Sequence, residues 1–168
     1  MTPGTLVVHI ADRELTVDVA GGGVHMLPIG PLTLQSGPLC DGDPPPAAAL
    51  TNALGLVEDH LDDLIIEAPS IVATPGVIVS GAHAESMARV EIGRESVPVD
   101  YQLLRPDADE VFRTVAAEPI DQRRHNPGLP DDHVESIIAT CCVILGIMRR
   151  LDLQAVTVAT TAPAETTR

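Results

Sequence analysis

The chain has 168 residues, a formal net charge of −14 and no lysine, so arginine supplies all of its fixed positive charge. One domain of this length can bury a real core, and so acidic a surface excludes electrostatic capture of nucleic acid or of an anionic membrane. Tyr101 and Phe112 are the only aromatic residues, which leaves Ala, Val, Leu and Ile to build the interior, as suits an α/β layer structure.

In chain order, Thr5–Ile10 (TLVVHI) is a short apolar run and reads as a strand. Residues 11–13 form a turn, and Glu14–Val19 (ELTVDV) alternates polar and apolar, the mark of a half-buried strand. Gly21-Gly22-Gly23 is followed by a third strand, Val24–Ile29. A phosphate loop or a dinucleotide fingerprint needs a helix after its glycines; a strand follows here, so the triplet reads as a hairpin turn. Residues 37–46 form a loop whose Pro44-Pro45-Pro46 stiffens the entry to a helix over Ala47–Ile66, with Leu50, Leu54, Leu61 and Leu64 near helical spacing. Gly76–Ser80 is a fourth strand, Ala84–Ile92 and Pro106–Ala117 are helices, and Ile120–His125 is a helical turn. Val111 and Val115 point inward from the second of these helices. Pro127, Gly128 and Pro130 then punctuate a turn. Asp131 and Asp132 stand where the N-cap and first-turn acid of the long apolar helix Ile137–Met148 would go, and Arg149-Arg150 close its last turn. Val156–Val158 is a fifth strand. The domain is expected over residues 1–158, with a disordered tail over 159–168 that has no core-forming residues.

The order β-β-β-α-β-α-α-α-β, with a mixed five-stranded sheet, matches an actin-like (ribonuclease H-like) half-domain. Arg123-Arg124, Pro127-Gly128-Leu129, the segment His133 to Ile137, the Asp43-Pro44-Pro45 step and Leu27-Pro28-Ile29-Gly30 together resemble the C-terminal half of the exopolyphosphatase/guanosine pentaphosphate phosphohydrolase (Ppx/GppA) family. The resemblance implies hydrolysis of a phosphoric anhydride: in-line attack of water, with Mg²⁺ and backbone N–H groups neutralising charge. It also implies where that chemistry should sit. The family's first strand runs into D-x-G-G-G-S, but this chain carries His9-Ile10-Ala11-Asp12-Arg13-Glu14 there. The second phosphate motif, a strand followed by G-G-T, stands here as Gly81-Ala82-His83, and the Arg and Glu expected after Gly30 are Thr33 and Ser36. The family's catalytic Glu lies in the other half. The chain is therefore expected to be inactive by itself, needing no cofactor, or Mg²⁺ where family activity is retained. An alternative is a non-enzymatic binding or regulatory subunit, either a homodimer or paired with a complete Ppx/GppA-like chain or a separate N-terminal-half chain.

The candidate phosphate-binding residues are Gly81, Ala82 and His83, because a helix N-terminus attracts anions without any particular side chain, and Arg123 with Arg124, the best positive cluster of an acidic chain. Phosphate, polyphosphate or a guanosine polyphosphate would be the ligand. For Arg123, Arg124 and His125 the competing reading is a structural ion pair. His9, on a buried strand, reads as a structural His or a metal ligand; His83 as an exposed helix-start residue or a metal ligand. Asp59, His60, Asp62 and Asp63 read as a solvated helix face. Cys40, Cys141 and Cys142 have neither disulfide nor metal spacing and read as buried thiols of a reducing compartment. No basic leader precedes an apolar run, and Ser136–Met148 is shorter than the ~20 residues that span a bilayer, so a soluble cytoplasmic protein is expected.

Overall fold

The strands of the sheet centre alternate buried and open positions, and the buried ones turn to the same side. In the computed structural model, which describes residues 4–160, β1 (Thr5–Ile10) buries Leu6, Val8 and Ile10, β2 (Leu15–Val19) buries Leu15, Val17 and Val19, and β3 (Gly23–Leu27) follows as a hairpin. The glycine turn is as expected: Gly22 N–H closes on Val19 O at 2.8 Å, and Gly21 and Gly23 take φ of +76° and +85°. β3 stops at Leu27 because Pro28 has no N–H to donate to the ladder.

The sheet is mixed and has six strands in the order β3-β2-β1-β4-β6-β5. β4 (Gly76–Ser80) adds parallel to β1, and β6 (Ala155–Val158) adds parallel to β4. The sixth strand, β5 (Tyr101–Leu104), lies antiparallel on the edge of β6. Sequence pattern misses it because only Leu103 of its residues is buried. A short helix, α1 (Pro31–Ser36), was also unforeseen; its Leu32 N–H reaches across to Asp12 O at 2.8 Å.

The helical layer gathers around α6 (Ile137–Arg150), which is buried along nearly its whole length. Against it pack α1, α2 (Ala47–Glu67), α3 (Ala82–Ile92) and α4 (Arg105–Ala117), while α5 (Ile120–Arg123) precedes it in the chain. The buried stripe of α2 is Ala49, Ala53, Val57, Leu61 and Leu64, so Leu50 and Leu54 stand at its margin rather than its centre. Small residues occupy that stripe because α6 crosses close by: a Cβ on Gly146 would lie 2.5 Å from Val57 Cγ1. Asp131 and Asp132 do not cap α6. They open a separate 3₁₀ turn, Asp131–His133, and Ser136 takes the N-cap position. Val111 and Val115 are buried as expected, and Asp59, Asp62 and Asp63 are exposed.

Among the described residues, no helix covers the opposite face of the sheet. Register places Val24, Asp18, Val7, Ile78, Thr157 and Gln102 in one row across it. Val24 and Met26 on this face are 62 % and 60 % exposed. No helix among the described residues is long and apolar enough to cross a membrane. Of the tail expected to be disordered, residues 161–168 lie outside the described residues.

Candidate functional site

β1 and β4 run parallel with His9 opposite Ser80, so the segments leaving both strands open on one rim of the sheet. After β1 comes the turn over residues 11–13, closed by Ala11 N–H to Glu14 O at 3.0 Å. After β4 comes Gly81, then α3. Gly81 has φ +106°, and a Cβ there would stand 2.6 Å from Ile10 O and 3.3 Å from His9 Cε1. Only glycine lets the two chain segments approach this closely. The rim thus has the construction of an anion site: a glycine pivot, a strand end beside it, and the N-terminus of a helix that carries no side-chain cap.

Its side chains do not leave that site open. His83, in the first turn of α3, is 4 % exposed rather than standing in solvent. Its Nε2 lies 2.7 Å from Asp12 Oδ1, and since a carboxylate only accepts, Nε2 carries the proton. Its Nδ1 faces Thr140 Oγ1 at 3.5 Å. The ring of His133 stacks on that of His83, with centroids 4.6 Å apart and planes inclined by 19°. His133 Nδ1 bonds Ser86 Oγ, and the Ser86 hydroxyl itself donates to Ala82 O at 2.9 Å. His133 therefore donates from Nδ1 and keeps Nε2 bare. Burial, and then the neighbouring His83, push its pKa below the ordinary imidazole value, against the opposite pull of Asp132 and Asp12. The result is a continuous polar chain, Asp12–His83 stacked on His133–Ser86, bridging the first turn of the meander to the helix start.

His9 is exposed, contrary to its reading as a buried strand residue: it falls on the uncovered sheet face, and its Nδ1 bonds Ser80 Oγ at 3.0 Å. A magnesium ion prefers oxygen ligands. At this rim the position that resembles the family's metal-holding Asp is an imidazole, and Asp12 is engaged by His83, so the residues present do not fit Mg²⁺. No group of three or more His, Cys, Asp or Glu among the described residues could hold a metal ion.

Gly81, Ala82 and His83 thus share one place; Arg123 and Arg124 are not brought to it. Arg123 is 4 % exposed. Its guanidinium donates to Val115 O (3.3 Å), Val134 O (3.2 Å) and Glu118 O (2.9 Å) and pairs with Asp43 at 3.4 Å. These bonds hold the segment before α6, which is the structural role weighed against phosphate binding. Arg124 and His125 are exposed. Of the thiols, Cys141 and Cys142 are buried, with Cys142 pushed up to about 12 by desolvation, whereas Cys40 is exposed. Asp12, Ser86, His133 and Thr140 escaped sequence reasoning as site residues. No local motif marks them, because their meeting depends on three segments far apart in the chain.

No protein-family model and no curated protein matches the chain. Solved structures do. An exopolyphosphatase-like protein superposes with a TM-score of 0.82 at 16% identity over 93% of this chain and 55% of its own. The Ppx/GppA enzyme of Aquifex aeolicus gives 0.78 at 16% identity, over 92% of this chain and 52% of its own. An exopolyphosphatase from Cytophaga hutchinsonii gives 0.70 at 16% identity, over 95% and 55%. The chain has the fold of these proteins and spans about half their length, in keeping with the half expected from the sequence.

Proposed function

We propose that this chain is a non-hydrolytic derivative of the exopolyphosphatase scaffold, a half-domain whose phosphate rim is taken up by one of its own carboxylates. The observation that carries the reading is the 2.7 Å contact of Asp12 with His83. Bonded to a side chain of the first turn of α3, the Asp12 carboxylate would compete with an incoming phosphate oxygen for that end of the helix, and an internal anion is always present at full effective concentration. Glu85, in the first turn of α3, adds a second negative group beside the site. Attack of water on a phosphoryl group further requires a base and charge neutralisation, and at this rim the Asp12 carboxylate is already engaged by His83.

Two measurements test the reading. Purified protein with Mg²⁺ and polyphosphate or guanosine pentaphosphate should release orthophosphate no faster than buffer alone; release above that background overturns it. Wild-type protein should show no change of melting temperature in millimolar phosphate, whereas Asp12→Ala, with the helix N-terminus opened, should be stabilised, because a ligand of the native state raises the melting temperature by mass action. A shift in the wild type equal to that in the variant would mean that Asp12 does not fill the site.

A second reading, a regulatory subunit that docks on another chain, is favoured by the uncovered sheet face. Asp18 is the only acidic side chain among its strand positions in a protein with 24 acidic residues. Depletion of charge is what distinguishes the centre of an interface from ordinary surface. Sedimentation of the pure chain, alone and with a complete homologue, checks it, with Ile78→Asp expected to abolish any complex formed through this face.

A further inference from the structure

We infer that the cleft between α1, α5 and the start of α6 is a binding site for a small organic cation, a primary ammonium on a short apolar body. The cleft is separate from the rim described above and has a volume of about 300 Å³, at the small end of ligand pockets. Leu39, Pro45, Ile120 and Ile138 supply apolar wall, and Gln35 and Glu135 supply the polar end.

The donor and acceptor inventory selects the ligand. The charged and amide side-chain donors of the wall are each engaged. Arg123 gives its N–H groups to three backbone carbonyls and to Asp43. The Ile120 N–H goes to the Asp43 carboxylate at 2.9 and 3.1 Å. The Gln35 Nε2 goes to Glu135 Oε2 at 3.1 Å. Cys40 offers only a thiol, a weak donor. The acceptors are not spent. Among the described residues, Glu135 receives that single amide bond and pairs with no cation, and Gln35 Oε1 is buried with no hydrogen-bond partner.

Charge points the same way. Asp43 is matched by Arg123, which leaves the Glu135 carboxylate unbalanced. A phosphate or carboxylate ligand would meet two carboxylates, Asp43 and Glu135, against one arginine that is already paired. An ammonium would find Glu135. By displacing the Gln35 amide it would also let that amide turn over and bring its orphaned Oε1 onto the same cation, which removes the cost of a buried unpaired acceptor. The apolar wall takes the hydrocarbon part, and the size of the cleft limits it to a short chain.

Cys40 makes the site readable without an assay of activity. It lies in the cleft wall and is exposed, while Cys141 and Cys142 are buried in α6. Native protein should therefore consume about one equivalent of iodoacetamide, a neutral reagent whose rate is insensitive to charge screening. Saturating n-butylammonium or 1,4-diammoniobutane should slow this alkylation several-fold. n-Butanol, butyrate and tetramethylammonium at equal ionic strength should not. Glu135→Gln, a change at an exposed position that should leave the melting temperature unaltered, should abolish the protection. Equal protection by butanol, full protection of the Glu135→Gln variant, or amine binding by calorimetry without protection of Cys40 would each overturn the proposal. None of these outcomes bears on phosphate release, so this inference and the reading of the Asp12–His83 rim stand or fall separately.

Discussion

Replacing Arg123 by Ala separates an anion-binding arginine from a structural one. Arg123 is 4 % exposed and ties α4, through Val115 O, to the Glu118 carbonyl and to Val134 ahead of α6. Truncation leaves three carbonyls without their donor, at about 1 kcal/mol each where water can replace it and more where it cannot. It also removes the stem packing and the partner of Asp43. The Asp43 side chain is 48% exposed, so its charge rehydrates and adds less than a fully buried partner would. The loss should come to about 3–5 kcal/mol, the range for breaking a buried pair from one side. For a domain of this size that corresponds to a fall of roughly 6–20 °C in melting temperature. Circular dichroism melts and urea titrations measure it. Arg123→Lys should recover only part of the loss, since an ammonium cannot reach several carbonyls in different directions. A melting temperature within about 3 °C of wild type for Arg123→Ala would refute the structural account.

Two further outcomes are expected. Gly146→Ala should destabilise by about 1–3 kcal/mol by overpacking, despite a gain of about 1 kcal/mol in helix propensity, because the new Cβ meets Val57 Cγ1 at 2.5 Å and Val57 Cβ at 2.9 Å. Val57→Ala on that background should restore stability, and urea midpoints of the single and double variants check the pair. His133 is held below the imidazole value of 6.5 in the folded state, first by burial and second by His83. The unfolded chain then binds more protons as pH falls below that value, so the contribution of His133 is complete above about pH 6.5 and is lost through the acid side. Melting temperatures from pH 7.5 to 5 should fall more steeply for wild type than for His133→Gln; parallel curves would contradict the sign.

Much of the scaffold is legible in local pattern. TLVVHI is a strand because its branched residues alternate onto a core, and the glycine triplet is a turn because a strand follows it. The apolar block from Ile137 onward could be nothing but buried. What pattern cannot carry is the meeting of segments. His9 reads as interior because its neighbours are, yet its parity places it on the uncovered face. His83 reads as an exposed helix-start residue, yet the pivot at Gly81 turns it inward to Asp12. β5 is too short to show a period, and only the open edge of β6 gives it a reason to exist. Arg123 next to Arg124 reads as a positive patch, and only packing reveals that one of the pair is buried and the other exposed.

One end of the sheet has a consequence for how copies of the chain behave toward each other. β3 forms an outer boundary, and its residues Gly23–Leu27 carry no fixed charge; Pro28 ends the strand without shielding it. Edges of this kind invite another strand to add on, and proteins ordinarily deter that with a lysine, a bulge or a covering loop. Lacking lysine altogether, this chain relies on distance: a net charge of −14 repels a second copy before the backbones can meet. That protection reaches only about 10 Å at 0.1 M salt and less above it. Raising ionic strength, which leaves the aliphatic core intact, should therefore favour association along β3, and sedimentation at low and high salt checks it.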